Sequence, residues 1–130
     1  MRQLQFIDLP GRFAVCRLPA DAAIPDWLDG LGFESVTRTG DELSVVAQAS
    51  KAPPDVRAEH DFAGFRISGT LAFSQIGVLR EVAGILAEAG ISVLAVSTFD
   101  TDYFFVPGVD IERSRAALGA ASHVFLPIQT

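Results

Sequence analysis

The feature that most constrains this chain is a change of hydrophobic period within one continuous stretch. Phe65, Ile67, Gly69 and Leu71 alternate with Arg66, Ser68 and Thr70, the two-residue period of a half-buried strand. From Val78 to Ala89 the apolar positions Val78, Leu79, Val82, Ala83, Ile85, Leu86 and Ala89 switch to the three-or-four spacing of an amphipathic helix, leaving Arg80, Glu81 and Glu88 toward water. Gly90 is placed to end that helix in a left-handed conformation. Ile91 to Thr98 then reads as a strand, Phe99-Asp100-Thr101-Asp102 as a polar turn, and Tyr103 to Val106 as the next strand. Asp110 to Ala121 reads as a second helix with Asp110 as N-cap, and Val124 to Leu126 as a closing strand. The order is βαββαβ.

The first half carries a weaker version of the same signals. Leu4 to Leu9 and Phe13 to Leu18 are apolar runs around the turn Pro10-Gly11. Pro25 to Leu31 places Trp27, Leu28 and Leu31 at helical spacing and predicts a short helix that stops at Gly32. Phe33 to Thr37 and Glu42 to Ala47 predict a hairpin around Thr39-Gly40-Asp41, and the proline-bearing stretch Ser50 to Arg57 predicts a linker. Pro25-Asp26-Trp27 can be laid over Gly77-Val78-Leu79, and Asp41 to Val46 over Thr101 to Val106, as a worn internal duplication. The alternative is that two short βαβ units look alike because their turns obey the same chemistry. The expected organisation is a degenerate half over 1–60 and a better-defined one over 61–130. Either reading gives an α+β fold with helices on one face of antiparallel sheets.

Composition narrows the function. The 130 residues are 49% hydrophobic and 20% charged, with ten Phe, which is core-building composition. A net charge of -6 and scattered Lys and Arg argue against nucleic acid or an anionic membrane as partner. No stretch approaches the roughly 20 apolar residues of a membrane span, and the N-terminus has no apolar signal core, so a cytoplasmic location is expected. The single cysteine, Cys16, is expected as a small buried hydrophobe. No Cys and His cluster has metal-ligand spacing, and no cofactor is expected. Ser68, Ser74 and Ser97 have no His in a recognisable arrangement, and His60 and His123 are expected at the surface or at edges, so no catalytic residue is expected and the chain reads as a non-enzyme.

The run from Phe73 to Val106 contains a glycine at a helix mouth (Gly77), a helix ending in Ala89-Gly90-Ile91, and a strand running into Ser97-Thr98-Phe99, with Asp102 closing a Ser-Thr-Phe-x-x-Asp pattern. Together these resemble the ACT domain, in the subtype found in aspartate kinases and in the arginine-sensing CASTOR proteins. The match is detailed over Phe65 to Val106 and only topological over Leu4 to Ala47. The resemblance implies a tandem pair of ferredoxin-like (βαββαβ) ACT-type halves and a regulatory, amino-acid-binding role, with Asp102 as the principal ligand residue and Asp100 as its companion. In ACT proteins another ACT unit supplies the other wall of the site, which here the fused first half or a second chain could provide; exposed edge strands and the apolar richness fit a homodimer, and a separate protein is expected as target. Gln75 stands where an aspartate is common in related loops, which leaves the ligand's identity open.

Physical chemistry points to the same place. The N–H groups around Ile76, Gly77 and Val78 open a helix and carry partial positive charge, suited to a carboxylate. Asp100 and Asp102, with hydroxyls from Ser97 and Thr98, offer the negative pole for an ammonium group. The expected ligand residues are therefore Gln75, Ile76, Gly77, Val78, Thr98, Phe99, Asp100 and Asp102. The competing reading is a structural dimerisation module without ligand, in which Asp and Thr only bond their own turn. An Asp-x-Asp metal site lacks a third ligand at fixed spacing.

Overall fold

The computed structural model describes residues 3–69 and 77–127. Its strands are β1 (Gln5–Asp8), β2 (Phe13–Leu18), β3 (Ser35–Arg38), β4 (Leu43–Gln48), β5 (Arg57–Ile67), β6 (Leu94–Ser97), β7 (Asp102–Pro107) and β8 (Val124–Phe125). Two helices, α1 (Val78–Glu88) and α2 (Ile111–Ala120), precede β6 and β8, and 3-10 turns occupy Ala49–Lys51 and Gly108–Asp110. The chain divides into an inserted unit, 11–62, and a split unit made of 1–10 and 63–130. The first ten residues thus belong with the C-terminal part and not with the half that follows them. The reason is pairing: β1 runs antiparallel to β5 with Phe6 opposite Ile67, and parallel to β8 with Gln5 opposite Val124.

In the split unit the strand order is β8-β1-β5-β7-β6, mostly antiparallel. Phe6, Phe65, Ile67, Phe104 and Val106 from the strands pack against Val78, Val82, Leu86 and Leu118 from the helices, all buried. Val78, Val82 and Leu86 recur every fourth residue, so one stripe of α1 covers the sheet. Phe6 meets Phe65 edge-on at 5.4 Å and Phe125 at 5.1 Å, which places the N-terminal strand at the centre of this core.

Both helices end in the same way. Gly90 lies at φ 76, with its N–H on the Ala87 carbonyl and the Ile91 N–H on the Leu86 carbonyl. Ser122 takes the equivalent place after α2 at φ 74, with its N–H on Gly119 and the His123 N–H on Leu118. Asp110 precedes α2 as expected but does not cap it; its carboxylate pairs with Arg113 at 2.7 Å.

The inserted unit has strand order β3-β4-β2, with the start of β5 beside β2. The hairpin expected around residues 39–41 forms, with Arg38 opposite Leu43 and the Thr39 N–H on the Glu42 carbonyl. The helix expected over Pro25–Leu31 does not. A single turn at Asp26-Trp27 replaces it, closed by the Leu28 N–H on the Pro25 carbonyl. The stretch is too short to repay helix nucleation, and Gly30 and Gly32 sit at φ 77 and 73. Trp27 and Leu28 still pack on Ala14, Cys16, Val45 and Ala47, whereas Leu31, the third residue of the expected apolar side, is exposed.

The expected linker is also structured. Ala52 and Val56 pack on that core, and β5 starts directly at Arg57. The Lys51 ammonium bonds Asp29 at 2.6 Å, Glu34 at 2.9 Å and the Leu31 carbonyl. These bonds hold Asp29 below the usual carboxylate range and push Lys51 up. Cys16 is buried as expected, and burial pushes its thiol up.

Candidate functional site

Gly77 precedes α1 at φ 87 and ψ 0, a left-handed conformation that side chains other than glycine adopt only with strain. The Glu81 N–H closes the first turn on the Gly77 carbonyl, and no side chain caps the helix among the described residues. The amides of Val78, Leu79 and Arg80 therefore lie ahead of the helical hydrogen-bond ladder. Val78 offers only its amide, because its side chain is in the core. Gln75 and Ile76 lie outside the described residues.

The expected acidic turn is the tip of the β6–β7 hairpin. The Thr98 N–H and hydroxyl both donate to the Thr101 carbonyl, at 2.9 and 3.1 Å, and the Thr98 hydroxyl accepts the Thr101 N–H. That hydroxyl serves the turn. Phe99 and Asp100 form the exposed tip, with Phe99 80% exposed. Asp102 sits one step inside, half-buried, opposite Ser97, whose hydroxyl donates to Asp102 Oδ1 at 2.7 Å. Side chains alternate along a strand, and Phe104, two residues on, packs under the helices. Asp102 and Ser97 consequently share the helix-covered face.

The two places also share one end of the sheet. The buried Thr101 hydroxyl donates to the carbonyl of Ile67, the last residue of β5, and at that same end Leu4, two residues before the Phe6 that faces Ile67, is tied through His123 to Glu81 in the first turn of α1. An open depression of about 630 Å³ runs along α1, lined by Gly77, Arg80, Glu81, Gly84, Ile85 and Glu88. It includes the helix mouth but not the turn.

Sequence reasoning misplaced one histidine. His123 is buried and not at the surface: its Nδ1 accepts the Leu4 N–H at 3.0 Å and its Nε2 lies 2.8 Å from Glu81 Oε2. The pairing draws the Glu81 carboxylate to the imidazole although Glu81 belongs to the first turn of α1. With both nitrogens occupied, His123 has no free position from which to act as a general base. His60 is exposed. Among the described residues no group of three or more His, Cys, Asp and Glu side chains is placed to hold a metal ion, and no helix is long and apolar enough to cross a membrane.

The ACT domain family model matches residues 57–119, and a model of an N-terminal domain matches residues 11–55. A search of curated proteins finds no match. Among solved structures, a crystal structure of an Agrobacterium tumefaciens protein is 37% identical, with TM-score 0.93, over 100% of this chain and 97% of that one. The Clostridium acetobutylicum aspartate kinase, described as an allosteric enzyme, matches at 14% identity and TM-score 0.68 over 93% of this chain and 35% of that one. The regulatory subunit of aspartate kinase from Thermus thermophilus matches at 13% identity and TM-score 0.56 over 87% and 93%. The family-model match and the α+β fold with its glycine-opened helix agree, and over residues 57–119 the chain belongs to the ACT domain family.

Proposed function

We infer that this protein is a non-catalytic regulatory module that senses an amino acid. The observation that carries the reading is that Asp102 follows Thr101, which bonds the end of β5, while the first turn of α1 is tied through Glu81 and His123 to Leu4 at that same end, and both lie on the face that the helices cover. In this reading the ligand's carboxylate takes the amides of Val78, Leu79 and Arg80, next to Gly77, where the helix dipole favours negative charge. Its ammonium group takes Oδ2 of Asp102, whose Oδ1 is already held by Ser97, with Asp100 adding negative potential. Thr98 holds the turn, and Phe99 offers an apolar wall.

Micromolar binding needs about -8 kcal/mol, whereas a helix terminus supplies only about 0.3–2 kcal/mol. A further wall is required. A second copy of the chain closing over Phe99 and the mouth would supply it and would couple ligand to self-association by mass action. The signal then passes to a separate protein.

Thermal-shift measurements against the twenty amino acids test the reading. At about 100 times Kd, one of them should stabilise the fold by about 2.7 kcal/mol, a Tm rise of several degrees. Asp102→Ala should remove that rise and leave the unliganded Tm near its original value. No rise with any amino acid would favour a purely structural pairing module, a reading supported by β6, which pairs with β7 alone among the described residues.

A further inference from the structure

We propose that His123 is a proton-gated clasp, which when neutral holds both the N-terminal strand and the first turn of α1 and when protonated lets go of the strand. The ring is buried, with its side chain 1% exposed. An amide N–H can only donate, so the 3.0 Å contact between the Leu4 nitrogen and Nδ1 requires a lone pair on Nδ1. The imidazole's one proton then sits on Nε2 and is donated to Glu81 Oε2 at 2.8 Å. The backbone of residue 4 thereby fixes the tautomer.

The local fold explains why the ring reaches that position. Ser122 at φ 74 ends α2 and turns the chain inward, and the His123 ring meets Phe6 edge-on at 6.2 Å. One residue later the Val124 N–H donates to the Leu4 carbonyl at 3.0 Å, opening the β1–β8 pairing. Both sides of the Leu4 residue are therefore held by consecutive residues of the C-terminal segment.

A second proton can go only to Nδ1. It removes the acceptor of the buried Leu4 N–H and sets one N–H against another, while the imidazolium keeps a charge-assisted bond to Glu81. From α1 the group facing the ring is Glu81, with Arg80 and Glu88 along the same depression. From β1 come the Leu4 amide and the Phe6 ring. On the α2–β8 side Arg115 is engaged with Asp8 and Glu112 and lies over Phe125, and Arg113 pairs with Asp110. Acid therefore loosens the start of β1 and leaves the attachment to α1 intact. This device does not depend on the ligand reading above.

Nuclear magnetic resonance of the full chain tests it, with the exposed His60 as internal reference. The expected result is an unprotonated Nδ1 and protonated Nε2 at neutral pH, and exchange protection of the Leu4 amide that falls about tenfold as Nδ1 takes its proton. His123→Asn can still accept the Leu4 N–H but cannot titrate, so protection there should lose its dependence on acid. Should that variant fail to fold, the wild-type tautomer and titration decide alone. A proton on Nδ1 at neutral pH, Leu4 protection unchanged across the His123 titration, or His123 remaining neutral until the whole chain unfolds would each overturn the proposal.

Discussion

The split and inserted units solve the same problem, covering one face of a small antiparallel sheet, with different materials. The split unit uses two helices and a cluster of Phe side chains. The inserted unit lacks an α-helix among the described residues; small residues, Trp27 and a looped segment fastened by Lys51 cover its sheet. Only the helical solution creates a helix terminus with amides ahead of the hydrogen-bond ladder, at the end of the sheet that also carries Asp102. The difference teaches that sheet architecture alone carries no site here, because the ligand reading depends on the choice of covering layer.

The two units also carry separate probes, since the helices lie in one and Trp27, the single tryptophan, in the other. The largest effect is expected from Phe6→Ala, which empties the centre of the split unit's core. Stability should fall by about 3–5 kcal/mol, read as helical circular dichroism lost at lower denaturant. An unchanged helical midpoint would mean that the N-terminal strand is not part of that core. Gly64→Ala comes next. A Cβ there would lie 2.7 Å from Phe105 and 2.9 Å from Leu9, so a loss of about 1–3 kcal/mol is expected from crowding.

The two helix ends sharpen the comparison within the split unit. Ser122→Gly should stabilise by about 0.5–1 kcal/mol, because Ser122 pays for a left-handed conformation that Gly90 adopts freely after α1. Gain of stability in a denaturant titration checks this; a loss would show that the Ser122 side chain contributes more than its strain costs. The smallest effect concerns the Lys51 fastening. Asp29 is held low, so its contribution is present above the ordinary carboxylate range and is lost as pH falls through its lowered value. Lys51→Met should flatten that acid dependence in Trp27 fluorescence, and an unaltered acid profile would contradict it.

The clear part of the fold in the sequence was the part with a clean period. Val78 to Glu88 and its Gly90 stop were legible because the buried stripe and the glycine terminus are both local signals. The Pro25–Leu31 helix misled because Trp27 and Leu28 pack on the core from a single turn, while Leu31, which completed the helical spacing, is exposed. The placement of β1 between β5 and β8 was not legible, since it rests on pairing between residues far apart in the sequence, Phe6 with Ile67 on one side and Gln5 with Val124 on the other. At the site, the hairpin and Gly77 could be anticipated from turn chemistry. The His123 bond to Leu4 could not, because nothing in the local sequence announces that Ser122 takes a left-handed conformation.

The most direct test of the sensing account is to follow backbone amide resonances while each of the twenty amino acids is titrated into the full chain. The account predicts that one amino acid shifts Val78, Leu79 and Arg80 together with Ser97 and Asp102, along a single saturating curve. Shifts confined to either group alone, or centred elsewhere in the chain, would contradict a ligand held between helix mouth and hairpin.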